Sequence, residues 1–173
     1  MIGGVSLVSV SGMTGGVLHL FNHALMKGVL FLAMGCVSYR IGSVALGDLD
    51  GLGRRMPWTM AAFVIGGLSL IGIPLTAGFV SKFYLILAAW DKDWWWLAGL
   101  IVLSSLLAII YVWRIIEVAY LRDPPEGVEM KEAPLSLLIP AWVLALANIY
   151  FGIDTRVSVG VAETAAKYLL GAS

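Results

Sequence analysis

The stretch WTMAAFVIGGLSLIGIPLTAGFVSKFYLILAAW, residues 58–90, decides the fold. It is 33 residues long, apolar almost throughout, and carries a single charge, Lys82. A helix crosses about 30 Å of hydrocarbon with about 20 residues. As one straight helix this stretch would be roughly 50 Å long, too long even with strong tilt. Its centre reads Gly72-Ile-Pro-Leu-Thr-Ala-Gly78. Pro74 removes a backbone donor and clashes with the preceding turn, so Gly72, Pro74 and Gly78 mark a break between two half-helices. Unwound backbone at membrane depth is tolerated only where it faces protein or water. Residues 58–71 would cover roughly 20 Å and residues 80–90 roughly 16 Å. Their junction then falls near the bilayer midplane, with Lys82 at the start of the second half.

The flanking sequence repeats the apolar pattern. Residues 17–38, 94–118 and 134–153 read as three further spans, which makes four full spans with the broken one. Residues 1–10 are apolar but too short to cross. They lack a positive n-region and a small-residue cleavage site, so they read as the end of a truncated helix rather than a signal peptide. Residues 154–173 scatter Val157, Val161, Ala165, Tyr168 and Leu169 among charges, the pattern of a short helix lying on the membrane surface. The only real loops are residues 42–53 and 123–132. The expected fold is therefore all-α, a polytopic transmembrane helix bundle. Residues 1–155 form its membrane part and residues 156–173 an interfacial tail.

Composition excludes other classes. Of 173 residues, 60% are hydrophobic and 13% charged, against about 25% charged in soluble domains. Lys+Arg and Asp+Glu both total 11, so no basic surface attracts nucleic acid. One cysteine, Cys36, forms no disulfide framework and reads as a small buried apolar residue. There is no phosphate-binding glycine loop, nucleophile triad or dinucleotide fingerprint. No cofactor is expected. The loops holding Arg40, Arg54 and Arg55, and then Arg122 and Lys131, are richer in basic residues than those holding Lys92, or Arg156 and Lys167. The positive-inside rule places the richer pair in the cytoplasm and the C-terminus outside a cell or inner membrane. Trp94, Trp95 and Trp96 then sit at the outer headgroup layer.

Charges within the spans carry the functional reading, because desolvation makes them rare there. Lys27 lies near the centre of residues 17–38, with no short way to either surface. His19, His23 and Lys27 are spaced i, i+4, i+8 and form a polar stripe on one helix face. Three titratable groups about 6 Å apart can pass a proton through intervening water, and histidine titrates near neutral pH. The alternative is a hydrogen-bonding face that only holds the bundle together. His19 and His23 also have metal-ligand spacing, but no third ligand is apparent and no metal is expected. Lys82 and Lys27 should lie at similar depth and share one aqueous path. Arg114 and Glu117, three apart, read as an ion pair at the membrane boundary, with proton uptake as the alternative role. Asp48, Asp50, Arg54 and Arg55 read as a docking surface for neighbouring subunits.

Three segments, LHLFNHALMKGVLFLAMG (residues 18–35), DLDGLGRRMP (48–57) and GIPLTAGFVSKFYL (72–85), point to a family. The chain resembles the proton-conducting antiporter-like subunits of Mrp-type cation/proton antiporters and respiratory complex I over about residues 1–155. The Ser81-Lys82-Phe-Tyr-Leu segment resembles the D-type member of the Mrp antiporters in particular. The resemblance implies that residues 17–38 correspond to helix eleven of about fourteen, with His19, His23 and Lys27 on a central hydrophilic axis. It implies that residues 58–90 are a broken helix twelve whose Lys82 is the key lysine of the outer half-channel. Residues 94–118 and 134–153 then match helices thirteen and fourteen. Roughly the first two-thirds of such a subunit has no counterpart here, so a chain supplying the missing N-terminal helices is an expected partner.

The function expected is proton translocation within a multisubunit Na+/proton antiporter, along His19, His23 and Lys27 toward Lys82. The expected partners are other antiporter or respiratory-complex membrane subunits, the lipid bilayer, protons and the exchanged Na+. The second reading places the module in a proton-pumping NADH-quinone oxidoreductase or membrane hydrogenase. The third is a structural scaffold that transports nothing.

Overall fold

The computed structural model describes residues 2–124 and 131–171, and their regular structure is entirely helical. The segment 125–130 of the predicted loop 123–132, and the ends of the two terminal segments, lie outside the described residues. A short helix α1 (Ile2–Ser6) precedes α2 (Val10–Ile41). A 3-10 turn (Leu46–Leu49) and the one-turn α3 (Leu52–Arg55) lead into α4 (Pro57–Ile71) and α5 (Ala77–Trp90). The chain continues with α6 (Trp95–Leu121), α7 (Leu135–Ile153) and α8 (Arg156–Leu170). Three helices, α2, α6 and α7, are long and apolar enough to cross a membrane. The expected fourth span is two shorter apolar helices, α4 and α5, of about 22 and 21 Å.

Helix α2 is the hub, packing against α1, α4, α5, α7 and α8, while α6 lies outside against α4 and α5. It begins seven residues before the predicted span. Ser9, in extended backbone, accepts the Gly12 N–H at 3.1 Å and caps the helix. At the other end Gly42 adopts φ 75 and donates its N–H to Ser38. Residues 2–6 form the short α1, distinct from α2. Val8 takes φ 44 and the chain turns, laying α1 along the start of α2. This needs bare backbone. A Cβ on Gly4 would stand 2.6 Å from Leu85 and 2.8 Å from the Gly12 carbonyl.

The largest apolar cluster gathers at the arginine-rich end, where Ala33, Cys36 and Val37 of α2 meet Met60, Phe63 and Val118, with Leu49, Leu52 and Met56 tucked beneath. The linker predicted as a docking surface carries exposed ion pairs: Arg54 pairs with Asp123 and Asp50 with Arg122, each at 3.3 Å. Glu132 holds the start of α4. Its carboxylate accepts the Trp58 N–H at 2.9 Å and the Thr59 hydroxyl at 2.6 Å, a favourable place for an anion.

Helix α8 packs on α2 through small residues. Its buried residues are Ala162 and Ala166, with Ala162 against Leu18 and Val80, whereas Val157, Val161, Tyr168 and Leu169 face outward. Small alanines permit closer helix approach than the larger apolar residues, so they take the inner face.

Candidate functional site

Helix α4 ends at Ile71 because Gly72 adopts φ 91, and its N–H closes back on the Leu68 carbonyl at 3.0 Å. Pro74 lies in the unwound link, Leu75 takes φ 72, and α5 resumes at Ala77. Ending a helix strands the carbonyls of its last turn. Lys82 meets two of them: its Nζ donates to Leu70 at 2.7 Å and to Ile71 at 3.1 Å. The third ammonium proton goes to Ser105 Oγ on α6, at 2.8 Å. An ammonium has three donors and no acceptor, so Lys82 is fully engaged. Its charge also sits at the negative end of the α4 dipole.

Gly78 lies inside α5 rather than in the break. Its role is close approach, since a Cβ there would stand 1.8 Å from the Ser69 carbonyl oxygen. Its N–H, one of the stranded donors at the start of α5, donates to Ser69 Oγ at 3.2 Å. Ser69 in turn donates to Asn148 Oδ1 on α7 at 2.8 Å, and Asn148 Nδ2 donates to Leu144 at 2.9 Å. Asn22 Nδ2 donates to the Ala77 carbonyl at 2.6 Å. Asn22, Ser69, Ser81 and Asn148 are all buried. Sequence reasoning singles out none of these, nor Ser105. Each is an uncharged polar residue in an apolar run, and its presence there is the only signal.

The stripe on α2 meets the break at His19. Its Nδ1 lies 2.9 Å from Ser81 Oγ, one residue before Lys82. Which atom donates depends on the tautomer. The His19 and His23 rings follow one another at 5.7 Å between centroids. Residues four apart on a helix drift about 40° per step, so from His19 to Lys27 the stripe turns by about 80°. His19 therefore faces α5, whereas Lys27 shares the sector of Leu20 and Phe31, which are 56% and 73% exposed. Lys27 is half-buried and makes no hydrogen bond among the described residues. His19 is the member of the stripe next to Lys82, and Lys27 is the far one.

Arg114 and Glu117 pair at 3.1 Å near the end of α6, with Arg114 exposed. Among the described residues, no group of three or more His, Cys, Asp or Glu residues is placed to hold a metal ion.

Comparison with known proteins gives the family. Residues 1–108 match the family described as NADH:quinone oxidoreductase/Mrp antiporter, TM. NADH-quinone oxidoreductase subunit N of Desulforudis audaxviator is 37% identical over 163 residues, 87% of this chain and 32% of that protein. F(420)H(2) dehydrogenase subunit L of Methanosarcina mazei is 34% identical over 80% of this chain and 22% of its own length. Among solved structures, a chain of the Mrp complex from Dietzia sp. DQ12-45-1b superposes with a TM-score of 0.90 at 28% identity, covering 96% of this chain and 39% of that one. Respiratory complex I from Thermus thermophilus gives 0.77 at 27% identity, over 96% of this chain and 36% of the other. The chain thus spans about a third or less of the curated relatives cited. A broken apolar helix, a lysine closing the break and a histidine row leading to it are found here in a chain that belongs to the NADH:quinone oxidoreductase/Mrp antiporter transmembrane family.

Proposed function

We propose that the chain is part of a proton-translocating membrane unit, with Lys27, His23, His19 and Lys82 as the groups that pass the proton. In this reading α4 and α5 together make a fourth span, residues 1–155 form the membrane part and residues 156–173 the tail at the outer surface. The C-terminus lies outside a cell or inner membrane. The observation that carries the reading is the contact of His19 Nδ1 with Ser81 Oγ, because it joins the α2 row to the helix that holds Lys82. The carbonyls of Leu70 and Ile71 only accept hydrogen bonds, whereas the Ser105 hydroxyl both accepts and donates. Ser105 is therefore the partner through which a proton leaves Lys82. Gly72 and Pro74 keep the break open to that exchange, and Gly78 lets its two halves approach closely. Arg114 and Glu117 form a boundary ion pair outside the path.

The assembly proposed is a multisubunit Na+/proton antiporter, supported by the TM-score of 0.90 to a chain of the Mrp complex. The second reading is a redox-driven complex of the complex I kind, supported by the relatives named as NADH-quinone oxidoreductase and F(420)H(2) dehydrogenase subunits. In either case the partners are other membrane subunits. In inverted membrane vesicles, proton release from the lumen on adding Na+ to the medium supports the antiporter, and proton uptake that starts only with an electron donor supports the redox complex.

The test of the proton reading is Lys82→Arg in the assembled complex. Arginine keeps the charge and does not release its proton. Proton movement across the membrane should fall to background while the complex still assembles on native gels. Wild-type uptake in this variant would overturn the reading in favour of a scaffold.

A further inference from the structure

Glu132 gathers three helix ends at the arginine-rich side of the bundle. Its carboxylate accepts the Trp58 N–H and the Thr59 hydroxyl at the start of α4, and the Ala133 N–H just before α7. Its backbone carbonyl accepts Nε and Nη2 of Arg40, from the end of α2. Beside this knot a groove of 420 Å³ opens between α4 and α7. Trp58, Leu135, Leu138, Ile139 and Trp142 line it, and Glu132 is its one charged wall. The two indoles meet edge to face at 5.6 Å, and Trp142 Nε1 donates to the Trp58 carbonyl at 3.2 Å.

The groove changes character along its length. From Leu135 to Trp142 the lining follows α7 for about 10 Å, and there it is apolar. Leu135 and Ile139 are exposed. At the Glu132 end stand two cations. Arg40 turns the Nε side of its guanidinium to the Glu132 carbonyl, and its Nη1 has no partner among the described residues. The open end of the fork fits a phosphate. Lys131, next to Glu132 in the chain, is exposed and also lacks a partner among the described residues. The Glu132 carboxylate, by contrast, already accepts three hydrogen bonds.

Such a groove suits one kind of molecule. Tryptophan near the end of a span lies at headgroup depth, and α4 and α7 both begin here. A groove that is apolar toward the hydrocarbon and cationic at its mouth matches a ligand with an acyl chain and an anionic headgroup. Basic pockets between membrane helices hold headgroups of that kind. The volume falls within the range of about 300–1,000 Å³ for ligand clefts. The lining side chains are bulky, not the small ones that let a second helix approach closely.

We infer that this groove is a binding site for an anionic phospholipid, with one acyl chain against Ile139 and Trp142 and the phosphate on Arg40 and Lys131. The lipid then joins the ends of α2, α4 and α7, at the opposite end of α4 from the break. The inference rests on α4 and α7 entering the membrane at this end and on nothing about proton transfer, so the Lys82→Arg result leaves it untouched.

The test is photolabelling of the intact complex in phosphatidylcholine vesicles. The vesicles carry a trace of phosphatidylglycerol with a diazirine on one acyl chain or, in a parallel sample, phosphatidylcholine with the same diazirine. Mass spectrometry should find the label on the peptide containing Ile139 and Trp142, in clear excess with the phosphatidylglycerol probe. Lys131→Gln removes a charge and no described bond, and should cut that excess about fivefold. Arg40→Gln should do the same, and Arg40→Lys, which keeps the charge, should restore it. Equal labelling by the two headgroups overturns the inference, as does an undiminished excess in Lys131→Gln or Arg40→Gln. No label on this peptide from either probe means that protein covers the groove, which overturns it as well. If Arg40→Lys restores nothing, the Arg40→Gln loss is one of packing and Lys131→Gln alone decides.

Discussion

The two lysines held within apolar helices live in opposite surroundings. Lys82 is surrounded by what the break creates: two stranded carbonyls of α4 and the Ser105 hydroxyl take its three protons. Lys27 sits on an unbroken helix whose own backbone is satisfied, and no described residue takes a proton from it. The difference teaches where a membrane fold can hold a charge within one chain. A helix end supplies free acceptors at depth, whereas a continuous helix supplies none, so its lysine must look to another element.

The comparison breaks most readily at Gly78. Gly78→Ala would put a methyl 1.8 Å from the Ser69 carbonyl oxygen, which is backbone and cannot swing away. The halves of the break must then part, at a cost of about 3 kcal/mol. Heating the purified complex should show this as a clear fall in the temperature at which it dissociates. An unchanged temperature would mean that the two halves are not locked together.

Ser105→Ala is the next largest effect. It leaves the ammonium one acceptor short, worth about 1.5 kcal/mol for a hydrogen bond to a charged group. If Ser105 also carries the proton onward, uptake falls about tenfold, and Ser105→Thr, which keeps the hydroxyl, restores it. Equal loss in the alanine and threonine variants would make Ser105 a matter of packing alone.

The smallest effect is at the surface, between α7 and α8. Three hydrogen bonds from Arg156, two from its guanidinium and one from its backbone N–H, hold the Asp154 carboxyl down at about 2, from an ordinary value of 3.8. A lowered carboxylate stabilises the fold fully above its unfolded value and loses that contribution as pH falls through its folded value. The start of α8 should therefore loosen between about pH 4 and pH 2. A spin label at Tyr168→Cys would report the change as increased mobility. In the Asp154→Asn background that step should vanish, and its persistence would place the pH response elsewhere.

Much of this is legible in the sequence for reasons of length and composition. A 33-residue apolar run exceeds a bilayer, and Pro74 cannot continue a helix, so the break is located without any coordinates. The spacing of His19, His23 and Lys27 announces a stripe because α-helical periodicity is local. The early start of α2 escapes a sequence reading because a Ser9 cap and bare glycines matter only once α1 has folded against them. The inner face of α8 is fixed only by contact between elements, because the close approach of α8 to α2 selects Ala162 and Ala166.

Sequence alone determined which segments are helical, where the long one breaks and which side chains bear charge, because these follow from bond geometry and from the thickness of hydrocarbon. Tertiary structure alone decided who meets whom: that His19 rather than Lys27 reaches the helix of Lys82, that Ser105 completes the ammonium's partners, and that one face of α2 stays bare. Those outcomes depend on the rotation of each helix about its axis. A drift of about 40° per turn of the stripe is enough to carry a side chain from one neighbour to the open side, and packing against distant parts of the chain sets that rotation.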